Sequence, residues 1–197
     1  MENIKLFCVS LGCDKNLVDT EKMLGLLNGR GITFTDDETE ADVILVNTCC
    51  FIGDAKEESV NTILDMARYK EEGNLKALLV AGCLAQRYKQ EILDEIPEVD
   101  AILGTTSYEE VAKVLDEVLA GRTGTHLSCF HDLSELPQVE ARRVVTTGGH
   151  YAFLKIAEGC DKRCTYCIIP YLRGPYRSVP IEQLVAEARQ LAEAGVK

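Results

Sequence analysis

Three cysteines near the C-terminal end of the chain have the spacing of metal ligands. Cys160, Cys164 and Cys167 are separated by three and then two residues, and they follow an apolar segment that begins at Tyr151. Thiolates this close in sequence can converge on one metal centre, and soft sulfur ligands favour iron–sulfur clusters, zinc or copper. A structural zinc site is completed by four protein ligands, yet no nearby cysteine or histidine follows Cys167. Three cysteines on a four-iron cluster would leave one iron open to a substrate or cofactor, and a zinc knuckle or three buried cysteines is the alternative.

A second set of cysteines, Cys13, Cys49 and Cys83, lies in the N-terminal half. Each comes just after an apolar run that predicts a strand, at residues 5–11, 43–46 and 77–81. Open α/β sheets place their ligand sites at the carboxyl ends of the strands, so these thiols would meet at one edge of a sheet. A single such cysteine is more often a small buried core residue, but three at equivalent strand ends favour a shared site.

The other three cysteines have no assigned ligand role. Cys8 lies in the middle of a predicted strand and is expected in the core, and Cys129 has no partner that the sequence identifies. Cys50 competes with Cys49 for the ligand position, and the spacing alone does not separate them.

Alternating strand and helix patterns predict the elements that position both sets. Further strands are expected at residues 32–34 and 101–103, and helices at about 17–28, 54–70, 84–96 and 108–119. This order indicates an α/β fold, with a parallel sheet covered by helices. Residues 122–150 have no clear period and are interpreted as a linker with one hairpin at most. A new strand is expected from Tyr151, followed by a helix from Ile181 to Ala194.

Composition indicates the class of protein. The chain has 197 residues, of which 46% are hydrophobic and 27% charged, enough for one domain and part of another. No apolar run approaches the roughly 18 residues of a spanning helix, and the start from Met1 to Lys5 leads into a strand without a signal-peptide layout. Nine cysteines in such a chain favour reduced thiols and metal binding over disulfides. We therefore expect a cytoplasmic protein with no membrane contact.

Charge is divided unevenly along the chain. Residues 1–137 carry 12 Lys and Arg against 26 Asp and Glu, a net charge of −14, whereas residues 138–197 carry 9 against 6, a net charge of +3. An acidic body is a poor match for a phosphate backbone, so DNA is not expected as a partner and tRNA is less expected than a small molecule or a basic protein. Acidic helix faces that merely keep the protein in solution are the alternative.

The C-terminal cysteine motif, with Tyr166 before its last cysteine, resembles the signature of the radical S-adenosylmethionine superfamily. The resemblance implies a 4Fe-4S cluster whose open iron is chelated by the amino and carboxylate groups of S-adenosylmethionine. It also implies that Tyr166 lies against the adenine, with simple packing as the alternative. Arg173 and Arg177 are candidates for binding the cofactor carboxylate or an acidic substrate residue, and solvated arginines are the alternative.

Motifs around the N-terminal cysteines extend this resemblance over essentially the whole chain. They are Gly12-Cys13-x2-Asn16, Asn47-Thr48-Cys49 and Gly82-Cys83-Leu84-Ala85-Gln86-Arg87. Together with the radical motif they resemble the methylthiotransferase family. The resemblance implies a flavodoxin-like N-terminal domain at residues 1–135, a linker at 136–150 and the start of an incomplete radical S-adenosylmethionine (β/α) barrel at 151–197. It further implies that Cys13, Cys49 (rather than Cys50) and Cys83 hold an auxiliary 4Fe-4S cluster.

Two stretches separate the branches of that family. Residues 11–19 resemble the branch that methylthiolates an aspartate of ribosomal protein S-twelve, because the tRNA branch usually has glutamine where Asp14 stands. Residues 173–178 resemble the same branch, although Val179 replaces its common arginine. The implied enzyme is a transferase that converts C–H to C–SCH3 with two 4Fe-4S clusters and S-adenosylmethionine. A tRNA adenosine methylthiotransferase, or a non-catalytic iron–sulfur or zinc module, is the alternative.

The resemblance also carries expectations about partners and completeness. It implies a basic ribosomal protein as substrate and a separate electron donor protein. Family members continue through a full barrel and a small β-domain, so this chain on its own is expected to be inactive.

Overall fold

The computed structural model describes residues 4–121, 126–139 and 142–197, and its centre is a six-stranded parallel sheet. The strands are β1 (Ile4–Ser10), β2 (Ile32–Phe34), β3 (Val43–Thr48), β4 (Ala77–Gly82), β5 (Ala101–Leu103) and β6 (Leu127–Cys129). Their order in the sheet is β2-β1-β3-β4-β5-β6, and every neighbouring pair is parallel. The first five strands have the 2-1-3-4-5 order of flavodoxin-like folds, which confirms the predicted fold class.

The two central strands form the core because both of their faces are covered. Every residue of β3 and β4 is buried, as their continuous apolar sequences predict for parallel strands. Successive side chains of a strand point to opposite faces, so Ile44 and Val46 pack in one core while Val43 and Leu45 pack in the other.

Six helices follow the strands in the N-terminal part of the described chain. They are α1 (Asp14–Leu27), α2 (Gly53–Ala67), α3 (Tyr69–Glu72), α4 (Cys83–Tyr88), α5 (Gln90–Glu95) and α6 (Val111–Leu119). Apolar residues of α1 and α6 cover one face of the sheet, and those of α2, α4 and α5 cover the other. The helix expected up to Ile96 is two helices instead, because the chain breaks at Lys89, whose φ is +42°.

The interpretation of residues 122–150 as a linker is partly incorrect, because β6 lies within this range. Strand β6 pairs with β5 and extends the sheet by one strand, where at most a hairpin was expected. Residues 122–125 and 140–141 of this segment lie outside the described residues. Farther along, the backbone N–H of Val144 donates to the carbonyl oxygen of Glu21 (3.1 Å), and Arg143 pairs with the Glu21 carboxylate (3.0 Å). The segment therefore packs directly against α1.

The strand expected from Tyr151 is also wrong. Residues 151–156 form no strand, and only β7 (Ala157–Glu158) does, pairing antiparallel with β8 (Arg177–Ser178). A strand needs a neighbour for its backbone hydrogen bonds, and the described part of the chain supplies this segment with only two paired residues. Two helices follow, α7 (Ile169–Arg173) and α8 (Ile181–Glu193), and α8 confirms the predicted C-terminal helix.

No helix in the described residues combines the length and apolar content needed to cross a bilayer. Residues 1–3 belong to the start of the chain, where no signal-peptide layout is predicted, and they lie outside the described residues.

Candidate functional site

The carboxyl ends of β1, β3 and β4 border a cavity of about 1050 Å³ that the three N-terminal cysteines line. Cys13 precedes α1 and is exposed, Cys49 follows β3, and Cys83 begins α4. Cys49 and Cys83 are only 7% and 6% exposed. The structure thus brings together the three thiols that the sequence placed at equivalent strand ends.

Two glycines allow the chain to turn closely around these cysteines. Gly12 has a φ of +90°, and a Cβ there would lie 2.6 Å from Cβ of Cys49 and 2.9 Å from its Sγ. Gly82 has a φ of +92°, and its Cβ would lie 2.6 Å from the carbonyl oxygen of Thr48. Only glycine adopts this left-handed backbone without strain, and here it also leaves the space that the Cys49 side chain occupies.

Buried polar side chains hold the three strand ends together. The Asn16 amide donates to the carbonyl oxygens of Leu11 and Thr48, both at 2.9 Å. The hydroxyl of Ser59 donates to the carbonyl oxygen of Cys49 (2.8 Å) and accepts from its backbone N–H (2.9 Å). Because these groups satisfy the backbone where the strands end, the cysteines are presented from fixed positions.

Cys50 points away from this arrangement. Its thiol donates to the carbonyl oxygen of Cys83 at 3.2 Å, and Cys50 is absent from the cavity lining that includes Cys49. This geometry favours Cys49 as the ligand, as the family resemblance implies. Cys8 packs against the core as expected, and burial raises the pKa of its thiol to about 12.

The N-terminal cysteines offer three sulfur donors at the wall of one cavity. Cysteine sulfur is the donor by which proteins hold iron–sulfur clusters. The roomy cavity and the all-sulfur donor set therefore fit an iron–sulfur cluster.

The C-terminal cysteines lie on a loop between β7 and α7, here called the cysteine loop (residues 159–168). The backbone N–H of Cys160 donates to the carbonyl oxygen of Gly174 (3.1 Å), and that of Cys167 donates to the carbonyl oxygen of Cys164 (3.0 Å). Cys164 is exposed and the other two cysteines are partly buried. The backbone of the loop is therefore anchored at Cys160, and the loop exposes Cys164 to solvent. Tyr166 is 88% exposed.

A buried ion cluster joins the segment that carries this loop to the sheet domain. It consists of Asp19, Lys155, Glu158 and Arg173, none more than 9% exposed. Arg173 donates to the carboxylates of Asp19 (2.7 Å) and Glu158 (2.9 Å), and Lys155 donates to Glu158 (2.9 Å) and also to Asp19. Burial alone would raise the pKa of Glu158, but the charges of Lys155 and Arg173 outweigh it and hold that pKa at about 2. Glu158 is thus held ionised between two cationic side chains.

Burial raises the pKa of the Cys83 thiol to about 11, and the nearby Arg173 guanidinium opposes that rise. Both residues line the cavity, together with Glu158 and with Gly159, the first residue of the cysteine loop. One cavity therefore borders the N-terminal cysteines and the segment that bears the C-terminal ones.

Two family models match the chain. The model described as "Uncharacterized protein family UPF0004" matches residues 5–104, just over half of the chain. The chain belongs to the UPF0004 family. The second model, described as "Radical SAM superfamily", matches residues 154–197, which include the cysteine loop.

Three relatives of this UPF0004 chain are named "Ribosomal protein uS12 methylthiotransferase RimO". The protein of that name from Lachnoclostridium phytofermentans is 64% identical over 194 residues, which are 98% of this chain and 43% of the relative. Those from Acetivibrio thermocellus and Clostridioides difficile are 53% and 50% identical, again over 98% of this chain and 43% of the relative. The chain thus spans less than half the length of these relatives. They confirm the resemblance to the methylthiotransferase family and to its ribosomal branch.

Sequence reasoning about this UPF0004 chain missed most of the buried ion cluster. For Arg173 the sequence suggests contact with the cofactor carboxylate or an acidic substrate residue, and this stays a prediction, as does the contact of Tyr166 with the adenine. Asp19, Lys155 and Glu158 were not singled out. The available signal was a lysine and a glutamate, three residues apart, inside the mainly apolar stretch before the cysteine motif. Charges in such a stretch are buried only when they are paired.

Proposed function

We propose that the protein containing this chain methylthiolates an aspartate side chain of ribosomal protein S-twelve, converting C–H to C–SCH3 with S-adenosylmethionine. The observation that carries the proposal is the single cavity lined both by the N-terminal cysteines and by the start of the cysteine loop. Insertion of sulfur into a C–H bond needs a hydrogen-abstracting centre and a sulfur source within reach of one substrate. The names and identities of the relatives support the same reaction.

Two 4Fe-4S clusters are proposed on the six cysteines. Cys13, Cys49 and Cys83 would hold the auxiliary cluster, and the three cysteines of the loop would hold the cluster that chelates S-adenosylmethionine. When bound, these groups supply hydrogen abstraction and sulfur, while the protein supplies ligation, orientation and exclusion of side reactions.

Other side chains would orient the reactants. The exposed ring of Tyr166 can stack on the adenine of the cofactor, and Arg173 is the proposed partner of the cofactor carboxylate or of an acidic substrate residue. Phe51 and Ile52 line the cavity and are 51% and 57% exposed. They form an apolar rim that would exclude water from the reacting atoms.

The acidic N-terminal part of the chain supports a basic protein substrate over tRNA, because a net charge of −14 on residues 1–137 repels phosphate. We accordingly propose that the partners are the ribosomal protein and an electron donor protein, and that the reaction takes place in the cytoplasm.

Iron and sulfide analysis with EPR after anaerobic reconstitution tests the cluster assignment. We expect about eight irons in the wild-type chain, and about four both in Cys160→Ala/Cys164→Ala/Cys167→Ala and in Cys13→Ala/Cys49→Ala/Cys83→Ala. The matched control, Cys8→Ala, removes a cysteine from the core and should retain about eight. Zinc in place of iron, or an N-terminal triple variant that loses no iron, would overturn the proposal.

The substrate is tested separately on the complete protein. The complete protein is incubated with S-adenosylmethionine, a reductant and either ribosomal protein S-twelve or tRNA. We expect mass spectrometry to show one added CH2S unit on an aspartate of ribosomal protein S-twelve. Addition to an adenosine of tRNA instead would contradict the proposed substrate.

A further inference from the structure

Arg173 belongs to the segment that carries the cysteine loop, yet its side chain is directed into the N-terminal domain. The preceding residue, Leu172, is 1% exposed in a core that includes Leu84, and its carbonyl oxygen accepts from the hydroxyl of Thr105 at 2.6 Å. Arg173 itself is 2% exposed. The guanidinium therefore has a fixed place at the end of α7.

That place is beside Cys83. Arg173 donates from one terminal nitrogen to the side-chain oxygen of Asn16, and the Cys83 sulfur lies 3.8 Å from the same oxygen. Arg173 and Cys83 both line the cavity. The Arg173 guanidinium thus lies next to the most deeply buried cysteine of the cavity wall.

Ligation changes what Cys83 needs from its neighbours. A thiol can donate to the oxygen of Asn16, but a metal-bound thiolate has no proton and can only accept. The Asn16 oxygen cannot donate, whereas the Arg173 guanidinium can. Hydrogen bonds and positive charge at a cluster sulfur favour the more negative, reduced state and so raise the reduction potential.

A comparison with Lys155 separates the contact that Arg173 makes near Cys83 from the overall charge of the buried ion cluster. The cluster contains two acids and two bases, and Lys15 also contacts Glu158 (3.7 Å), so loss of either base removes one positive charge from this group. Lys155 contacts Asp19, Glu158 and the face of the Tyr108 ring (5.2 Å), whereas Arg173 also contacts Asn16 on the Cys83 side. Removal of Lys155 therefore removes one positive charge but leaves the contact between Arg173 and Asn16 in place.

We propose that Arg173 is a positioning residue of the auxiliary cluster, fixing Asn16 and donating toward the Cys83 thiolate, and that it thereby raises the reduction potential of that cluster. The inference rests on the proposed assignment of Cys13, Cys49 and Cys83 as cluster ligands. It couples the auxiliary site to the cysteine loop, since Arg173 also binds Glu158 immediately before that loop.

The test uses the chain with Cys160→Ala/Cys164→Ala/Cys167→Ala, so that only the auxiliary cluster is present. An EPR-monitored redox titration compares Arg173→Gln with Lys155→Gln, which each remove one charge, and Arg173→Lys with Lys155→Arg, which each keep it. We expect Arg173→Gln to lower the reduction potential of the cluster more than Lys155→Gln does. At a fixed potential, the ratio of reduced to oxidised cluster should be at least tenfold lower in Arg173→Gln than in Lys155→Gln, which corresponds to a difference of about 59 mV for a one-electron couple. Arg173→Lys should shift the potential in the same direction by less, and Lys155→Arg should leave it unchanged.

Equal shifts in the two glutamine variants would overturn the inference while leaving the cluster assignment intact. If Arg173→Gln yields no folded, iron-loaded protein, the test uses Arg173→Lys and Lys155→Arg, which keep the charge. Equal reduction potentials in these two variants would overturn the inference. Absence of an iron–sulfur signal from the parent background, with Cys13, Cys49 and Cys83 intact, is the separate outcome that overturns the proposed function and the inference with it.

Discussion

Replacing Gly12 with alanine should weaken both the fold and the auxiliary site. The φ of Gly12 is +90°, and the new Cβ would lie 2.6 Å from Cβ of Cys49 and 2.9 Å from its Sγ. The left-handed backbone costs about 1–2 kcal/mol for a residue with a Cβ. Overpacking against Cys49 adds about 1–3 kcal/mol. We therefore expect the free energy of unfolding to fall by about 2–5 kcal/mol.

Gly29→Ala is the matched control because it separates these two contributions. Gly29 has a φ of +77°, similar to that of Gly12, and a Cβ there would meet nothing within 4 Å. The free energy of unfolding of Gly29→Ala should therefore fall only by the backbone contribution, about 1–2 kcal/mol. It lies beyond the end of α1 and does not line the cavity.

Urea unfolding of the two variants measures the stability difference, and iron loading measures the site. In the background that lacks the C-terminal cysteines, Gly12→Ala should bind less iron than Gly29→Ala because it must displace the sulfur of Cys49. Equal unfolding free energies together with equal iron contents would refute the close approach of Gly12 to Cys49 on which the reasoning depends.

Three further substitutions test other parts of the structure. Ser59→Ala should lower the unfolding free energy by about 1–3 kcal/mol in urea titrations, because it leaves both backbone polar groups of Cys49 without their buried partner. Lys155→Met should lower the unfolding free energy by about 3–5 kcal/mol in the same assay by breaking a buried ion pair. Lys5→Met, which breaks a solvent-exposed pair with Glu40, should lower it far less. Burial tends to raise the pKa of Asp42, but hydrogen bonds from the Lys5 backbone N–H and a neighbouring lysine side chain outweigh it and lower that pKa. Stability from this carboxylate is therefore present above the ordinary aspartate pKa of about 3.9 and lost as the pH falls through the lower folded value, so Asp42→Asn should show a shallower loss of stability on acidification. An identical dependence of the unfolding free energy on pH in the wild type and in Asp42→Asn would contradict the lowered pKa of Asp42.

The sheet and its cysteines were predictable because their signals are local. Strands β3 and β4 are continuous apolar runs, which parallel strands buried on both faces require. The cysteines follow such runs directly, and the ends of parallel strands meet at one edge. The convergence of Cys13, Cys49 and Cys83 on one cavity therefore followed from their position relative to the strands, without knowledge of the distances.

Two elements were not predictable in this way because their partners decide them. Strand β6 has only three residues, too few for an alternation of apolar and polar side chains to distinguish it from a loop. It is a strand because β5 offers a free edge next to it. The segment from Tyr151 has the opposite character, with an apolar sequence but almost no pairing in the described chain. Apolar composition alone predicts burial rather than hydrogen-bonding partners.

The buried ion cluster contributes placement more than stability. Desolvation of four charged groups offsets much of their mutual attraction, so replacement by apolar residues could be equally stable. Apolar contacts are non-directional, however, and would let the segment before the cysteine loop settle in several positions on α1. The acids and bases are paired only when Lys155 and Arg173 both reach Asp19 while Glu158 reaches both of them. Any shift of the segment leaves a buried charge unpaired, at a cost of several kcal/mol. This arrangement therefore fixes the start of the cysteine loop at the edge of the sheet where the N-terminal cysteines lie.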